Sequence, residues 1–173
     1  MLTLYDEYFN SLLKDSIKIY QKKDIDILSL QNEFNKKYTD KITKHCINSK
    51  IYLEGEIENY SDCNEKNNII LVDKIENYYI FNLRAFEIDD YLLFNTEDET
   101  IYFFNSIPTI LDNGKTLITM KFNSVYSHGL NLYKFEDGNL KSFNIEFSHH
   151  YNPEKTYITK DWENRTKILL GMI

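Results

Sequence analysis

The feature that most limits the fold is a change of hydrophobic period near residue 50. Before it, apolar residues recur every three or four positions. Tyr5, Tyr8, Phe9, Leu12, Leu13, Ile17 and Tyr20 form one stripe, and Ile27, Leu30, Phe34 and Tyr38 form a second. That spacing gives a helix a single apolar face. Thr3 precedes the first stripe and Asp24 and Asp26 precede the second, where side chains that cap helices are wanted. The second helix can continue, with a break, through Ile42 and Cys46. After residue 50 the period is two. Ile51, Leu53, Gly55 and Ile57 alternate with Tyr52, Glu54, Glu56 and Glu58, the pattern of a strand with one wet face.

Further strands are predicted over 68–75, 77–85, 90–95, 100–107, 115–126, 130–135 and 140–147. Asn113-Gly114 and Asp137-Gly138 suit tight hairpin turns, because both pairs tolerate positive φ. Pro108 should end or edge its strand. Trp162, Leu169 and Met172 predict a short helix at the C-terminus, and 59–67 reads as a loop. No helical pattern interrupts 50–147, so these strands connect by short turns. The expectation is therefore α+β in a single domain, 1–173: two N-terminal helices within 1–48, an antiparallel meander of seven or eight strands over 50–147, and a helix over 160–172. A chain of 173 residues is ordinary domain length.

Two cysteines, Cys46 and Cys63, are fewer than a secreted disulfide scaffold uses. Both read as free thiols in a reducing compartment, so the expected location is the cytoplasm. Residues 1–10 carry Asp6 and Glu7 and no long apolar run, unlike a signal peptide. The longest apolar runs, 69–72 and 78–81, are strand-length. Spanning a bilayer takes roughly 20 apolar residues, so no membrane partner is expected.

Motifs that name a reaction are missing. The five glycines are scattered, which leaves no phosphate loop or dinucleotide fingerprint, and no Gly-x-Ser-x-Gly elbow occurs. Cys46 next to His45 suggests a nucleophile and base, but sequence neighbours point apart, and a small buried hydrophobe is the commoner role. His149-His150 has no third ligand at a familiar spacing, and Asp24-Ile25-Asp26 reads better as a cap than as a metal motif. The expectation is no catalytic residue, no metal and no cofactor.

The charge is uneven. Residues 1–50 carry 9 basic and 7 acidic side chains and residues 101–173 carry 8 and 7, whereas residues 51–100 carry 3 and 13, a net of −10. Phosphate backbones are repelled by such a segment, which excludes nucleic acid there, and a cationic protein is attracted. Glu54, Glu56 and Glu58 should form a row, with Asp62 beyond it and Glu87, Asp89 and Asp90 as a second cluster; Glu97, Asp98 and Glu99 make a third. Tyr52, Tyr60, Tyr78, Tyr79 and Tyr91 are interleaved with these acids, and Tyr52 and Tyr79 are the predicted anchors. The competing explanation is that the acids only keep a β-rich chain soluble.

In size, acidity and composition the chain resembles bacterial immunity proteins. That resemblance, which covers no motif, implies a protein that binds and blocks a cognate toxin domain, often a cationic nuclease. The alternatives are another interaction module from a phage or mobile element, or an enzyme with a site among His128, His149, His150 and the carboxylates.

Overall fold

The computed structural model describes residues 25–53, 55–123, 127–136, 139–147, 153–160 and 166–172. The predicted helix over 3–20, Glu54, Asp24, Asp137-Gly138, His149, His150 and Trp162 lie outside the described residues. The chain gathers into two compact units, Asp24–Lys121 with Leu130–Ile145, and Met1–Lys23 with Phe122–Gly129 and Glu146–Ile173.

Among the described residues the protein is mostly β, which corrects the expected α+β layout. Its helix is α1, Ile27–Lys37. Asp26 caps it by accepting a hydrogen bond from the Ser29 N–H at 3.1 Å, as the sequence suggested. Lys36 and Lys37 stand in the last turn, where cations suit the helix dipole. The stripe buries Leu30 and Phe34, and Tyr38 follows at the C-cap. The helix does not run on to Cys46. Ile42 instead bridges to Ile47, and Cys46 opens the first strand.

Six strands form the main sheet: β1 (Cys46–Leu53), β2 (Glu56–Cys63), β3 (Asn68–Ile75), β4 (Tyr78–Ala85), β5 (Ile88–Asn95) and β6 (Thr100–Phe104), in the order β2-β1-β6-β5-β4-β3. From β3 to β6 the expected antiparallel meander holds. The correction is at β1, which lies parallel to β6, with Lys50 opposite Thr100 and Ile51 opposite Ile101. Side chains brace that seam. Ser49 Oγ donates to the Glu99 carbonyl at 2.7 Å, and Lys41 pairs with Glu99 at 2.9 Å.

The run read as one strand through residue 57 is a hairpin. Gly55 takes φ +97°, a conformation glycine adopts without strain, and Leu53 faces Glu56 across the two-residue turn. The predicted loop over 59–67 shrinks to four residues, since 59–63 belong to β2. That loop is pinned by Asn64 N–H to the His45 carbonyl at 3.0 Å and by His45 Nδ1 to the Asn67 carbonyl at 2.6 Å.

Both sheet faces are covered, which explains the unbroken burial of 78–83 on β4. On one face α1 packs on Tyr79, Phe81, Leu92, Phe94 and Ile101. The other face carries Tyr78, Ile80, Leu93, Tyr102 and Phe104. Against it lie Leu117, Tyr133 and Phe135 of a second sheet. That sheet comprises β7 (Thr109–Leu111), β8 (Thr116–Asn123), β9 (Ser127–Glu136) and β10 (Asn139–Phe147), in the order β10-β9-β8-β7. The turn signal at Asn113-Gly114 is met. Leu111 pairs with Thr116, and Asp112, Asn113 and Gly114 all have positive φ.

The predicted C-terminal helix is absent. Residues 153–172 contain instead a hairpin of β11 (Pro153–Lys160) and β12 (Thr166–Met172) in antiparallel register. Thr156, Tyr157, Ile158 and Thr159 on one strand and Thr166 and Ile168 on the other are residues that favour pleated backbone, and this composition outweighs the helical spacing of a few apolar positions.

Cys46 and Cys63 are a register pair at the end of the β1–β2 ladder and are joined as a disulfide, not free thiols. The strands bring them together. Their sequence separation of 17 closes a loop whose entropy loss in the unfolded chain stabilises the fold by about 3 kcal/mol. Replacing Cys63 with Ser should lower the denaturation free energy by about that amount in urea melts, and a thiol reductant should reproduce the loss in the native chain but not in the variant.

Candidate functional site

The two-residue turn at 54–55 sets the site. Register partners share a sheet face, so Glu56, Glu58, Tyr60 and Asp62 lie on the side of Leu53, Ile51, Ser49 and Ile47, the face on which α1 packs. Asp90 reaches the same face from β5, two residues before Leu92. The sheet curls enough for the Ile69 N–H at the start of β3 to reach the Lys44 carbonyl ahead of β1 at 2.9 Å. These bends leave a groove of about 450 Å³ with Asp62 and Asp90 in its wall. Its floor is apolar, formed by Ile47, Leu83 and Phe103, and Phe86 stands at the rim with 80% of its surface exposed.

Partial burial marks the chemistry of the groove. It pushes the Asp90 carboxyl above its ordinary value, and the neighbouring Asp89 adds to the rise. Burial likewise raises the Tyr60 phenol, helped by Asp62. Each shift reports an anionic form that loses hydration without gaining a cation. Among the described residues, none of Glu56, Glu58, Asp62 and Asp90 has an ion-pair partner, whereas Lys74 is taken by Glu33 at 2.8 Å and Arg84 stands 3.8 Å from Asp89. Lys66 lies on the groove's loop side. Carboxylates beside aromatic rings and an apolar floor suit an ammonium or guanidinium group carried on an aliphatic stem.

The other predicted site residues are dispersed. Asp89 points to the opposite face and accepts from Asn82 Nδ2 at 2.7 Å. Glu87 sits in the β4–β5 turn at φ +60°. Tyr52 is half-buried on the opposite face, where its hydroxyl donates to the Leu140 carbonyl at 3.2 Å. Tyr79 is buried beneath α1 and donates to Glu33 at 2.7 Å. His128 lies on β9. With both cysteines in the disulfide, Cys46 presents no thiolate. Sequence reading singled out neither Phe86 nor Phe103. The signal for Phe86 was available, since a large aromatic in a two-residue turn between strands has no core to enter.

Among the described residues, no three His, Cys, Asp or Glu side chains stand close enough together to hold a metal ion, and no helix is long and apolar enough to cross a membrane. Comparison with protein-family models, curated proteins and solved structures finds no match in any of the three.

Proposed function

We propose that this chain is a protein-binding module of the immunity type, which neutralises a cationic toxin domain by engaging it through the acidic groove and the β2 row. The observation that supports this reading is the pairing of Asp62 and Asp90 over an apolar floor, with neither carboxylate in an ion pair among the described residues although Lys66 lines the same groove. Solubility alone is served by acids anywhere on the surface. It does not call for a carboxylate held partly dry beside exposed Phe86. Carboxylates on the rim steer the encounter, and the aromatic and aliphatic floor holds the partner once docked.

The test is capture by the purified product of the adjacent gene, followed by kinetics at two salt concentrations. Changing Glu58, Asp62 and Asp90 together to Lys should lower the on-rate about 10–100-fold at low salt, and the native on-rate should fall as salt rises. Equal binding by the charge-reversed protein, with no salt dependence, would reduce the acidity to a solubility device. The sign of the pH effect follows from Asp90. Its native carboxyl holds a proton more tightly than the unfolded one, so the fold gains stability as pH falls through the raised value. A bound cation requires the deprotonated form, so affinity should drop over the same range.

The cytoplasmic location expected from the sequence belongs to this proposal, and the disulfide weighs against it, because exposed cystines persist in oxidising compartments. Alkylation of free thiols at the moment of lysis reads the compartment directly. An intact bridge sets the working protein outside the reducing cytosol, and two modified cysteines set it inside.

A further inference from the structure

We propose that the partner docks by strand addition: an extended segment with Lys or Arg at alternate positions pairs with the free edge of β2. This rests on the reading of the acidic face as a protein-binding surface and names the form of the partner.

The two edges of the main sheet are treated differently. At β3 the ladder is broken by a register shift between Leu71 and Asp73, Asp73 is buried, the Ile69 N–H is already bonded to Lys44, and Lys74 is tied to Glu33 of α1. Bulges and inward charges are the usual protection against unwanted pairing. β2 has no bulge, and its charges, Glu56, Glu58 and Asp62, are all of one sign, which repels an acidic edge but attracts a cationic one. Its eight residues pair with β1 without a shift, it contains no proline, and among the described residues no strand pairs with its outer side. All of its residues are exposed except the half-buried Tyr60.

The hydrogen-bond parity of this edge is determined. The Asn64 N–H donates to the His45 carbonyl, so 64 and 45 form a bonded pair and the bonded positions of β2 are 62, 60, 58 and 56. Main-chain groups of Ile57, Asn59 and Ser61 therefore point outward, ready for another strand. An added strand sets its alternate side chains beside Glu58, Tyr60 and Asp62 on the groove face, where Lys or Arg meets two carboxylates and an aromatic ring. On the reverse face it meets Ile57, 48% exposed, which asks for an apolar residue. A second copy of β2 is disfavoured, since Glu56, Glu58 and Asp62 would face their own kind.

The probe is a synthetic peptide of about eight residues in which Lys and Val alternate. Its control has the same composition with all the lysines grouped at one end. Titration of the full chain with the alternating peptide should slow amide exchange at Asn59 and Ser61 at least about tenfold, leaving Glu58 and Tyr60, already bonded to β1, little changed. The grouped control should give no such pattern. Ser61→Pro removes an outward donor and spares the β1 ladder, so it should weaken the alternating peptide about tenfold while melting near the native temperature. Should Ser61→Pro not fold, exchange in the native chain carries the test alone. Binding of the alternating peptide with no protection at Asn59 and Ser61 would overturn strand addition and leave cation recognition standing. Failure of both peptides, together with failure of the adjacent gene product to bind, would remove the functional reading as well.

Discussion

Phe34→Ala is expected to destabilise the chain by about 3–5 kcal/mol, the range for deleting a fully buried aromatic side chain. Phe34 has no exposed surface, and its ring meets those of Tyr79 and Phe81 at 4.9 Å, Phe94 at 5.2 Å and Tyr38 at 5.3 Å, mostly edge to face. α1 is 11 residues long, and isolated helices of that length are marginal in water. It stays on the sheet because Leu30, Phe34 and Tyr38 insert there, with the Glu33–Lys74–Tyr79 cluster as an outer clasp. Removing the central ring leaves a cavity that four surrounding aromatics cannot close by small shifts. Chemical denaturation measures the loss, and Leu28→Ala is the control, because Leu28 is 73% exposed and should change stability by less than about 0.5 kcal/mol. A Phe34→Ala melt that overlays the native one would show that α1 contributes nothing to the core.

The second large effect is expected at Gly114. Its φ of +85° is strained for any L side chain, and a Cβ there would stand 2.0 Å from Asn77 Oδ1 and 3.1 Å from Tyr78 Cε2. Neither neighbour is free to leave. Asn77 Nδ2 donates to Asn95 Oδ1 at 3.0 Å, and the Tyr78 hydroxyl donates to the Gly114 carbonyl itself at 2.8 Å. Burial drives the Tyr78 phenol far above its ordinary range, so it remains a neutral donor at any working pH. Gly114→Ala should therefore combine backbone strain with a forced displacement, for about 2–4 kcal/mol in total. Gly55→Ala separates the two contributions, because Gly55 has φ +97° with nothing within 4 Å of an added Cβ. It should lose only the strain, about 1–2 kcal/mol. Equal losses in the two variants would mean that the Asn77 contact is absorbed without penalty.

The parts of the fold legible in the sequence are those fixed by local pattern. The Asp26 cap, the stripe of α1 and strands β3, β4 and β5 follow from period and turn chemistry. The β1–β2 hairpin did not, since alternation continues on either side of a two-residue turn and one glycine is its only mark. That turn also reverses which residues share a face. Glu56 and Glu58 consequently lie with Ile51 and not with Tyr52. The C-terminal hairpin was missed because a few apolar residues at helical spacing fit either period. Of the candidate site, the charge of each acid was readable and its direction was not. Asp89 and Asp90 are neighbours with opposite fates, one bonded to Asn82 on one face and the other in the groove on the reverse. Their separation required the β5 register, and the approach of Asp62 required the parallel seam that inserts β1 beside β6.

That seam has a kinetic consequence. Lys50 cannot find Thr100 until the whole meander between them has been made, and closing so long a loop is slow relative to forming hairpins. On the ribosome, β1 and β2 emerge before β3 to β6 yet can join them only after β6 is made. Once the cystine at their base has formed it holds the pair together, so that the two strands can add to the sheet as one unit. The reverse route is open in the finished molecule. Because Ile47 and Ile51 share the core with Leu30 and Phe34, opening at the seam would loosen α1 as well, and the amides of β1 and β2 are expected to open at a lower free energy than those of β4.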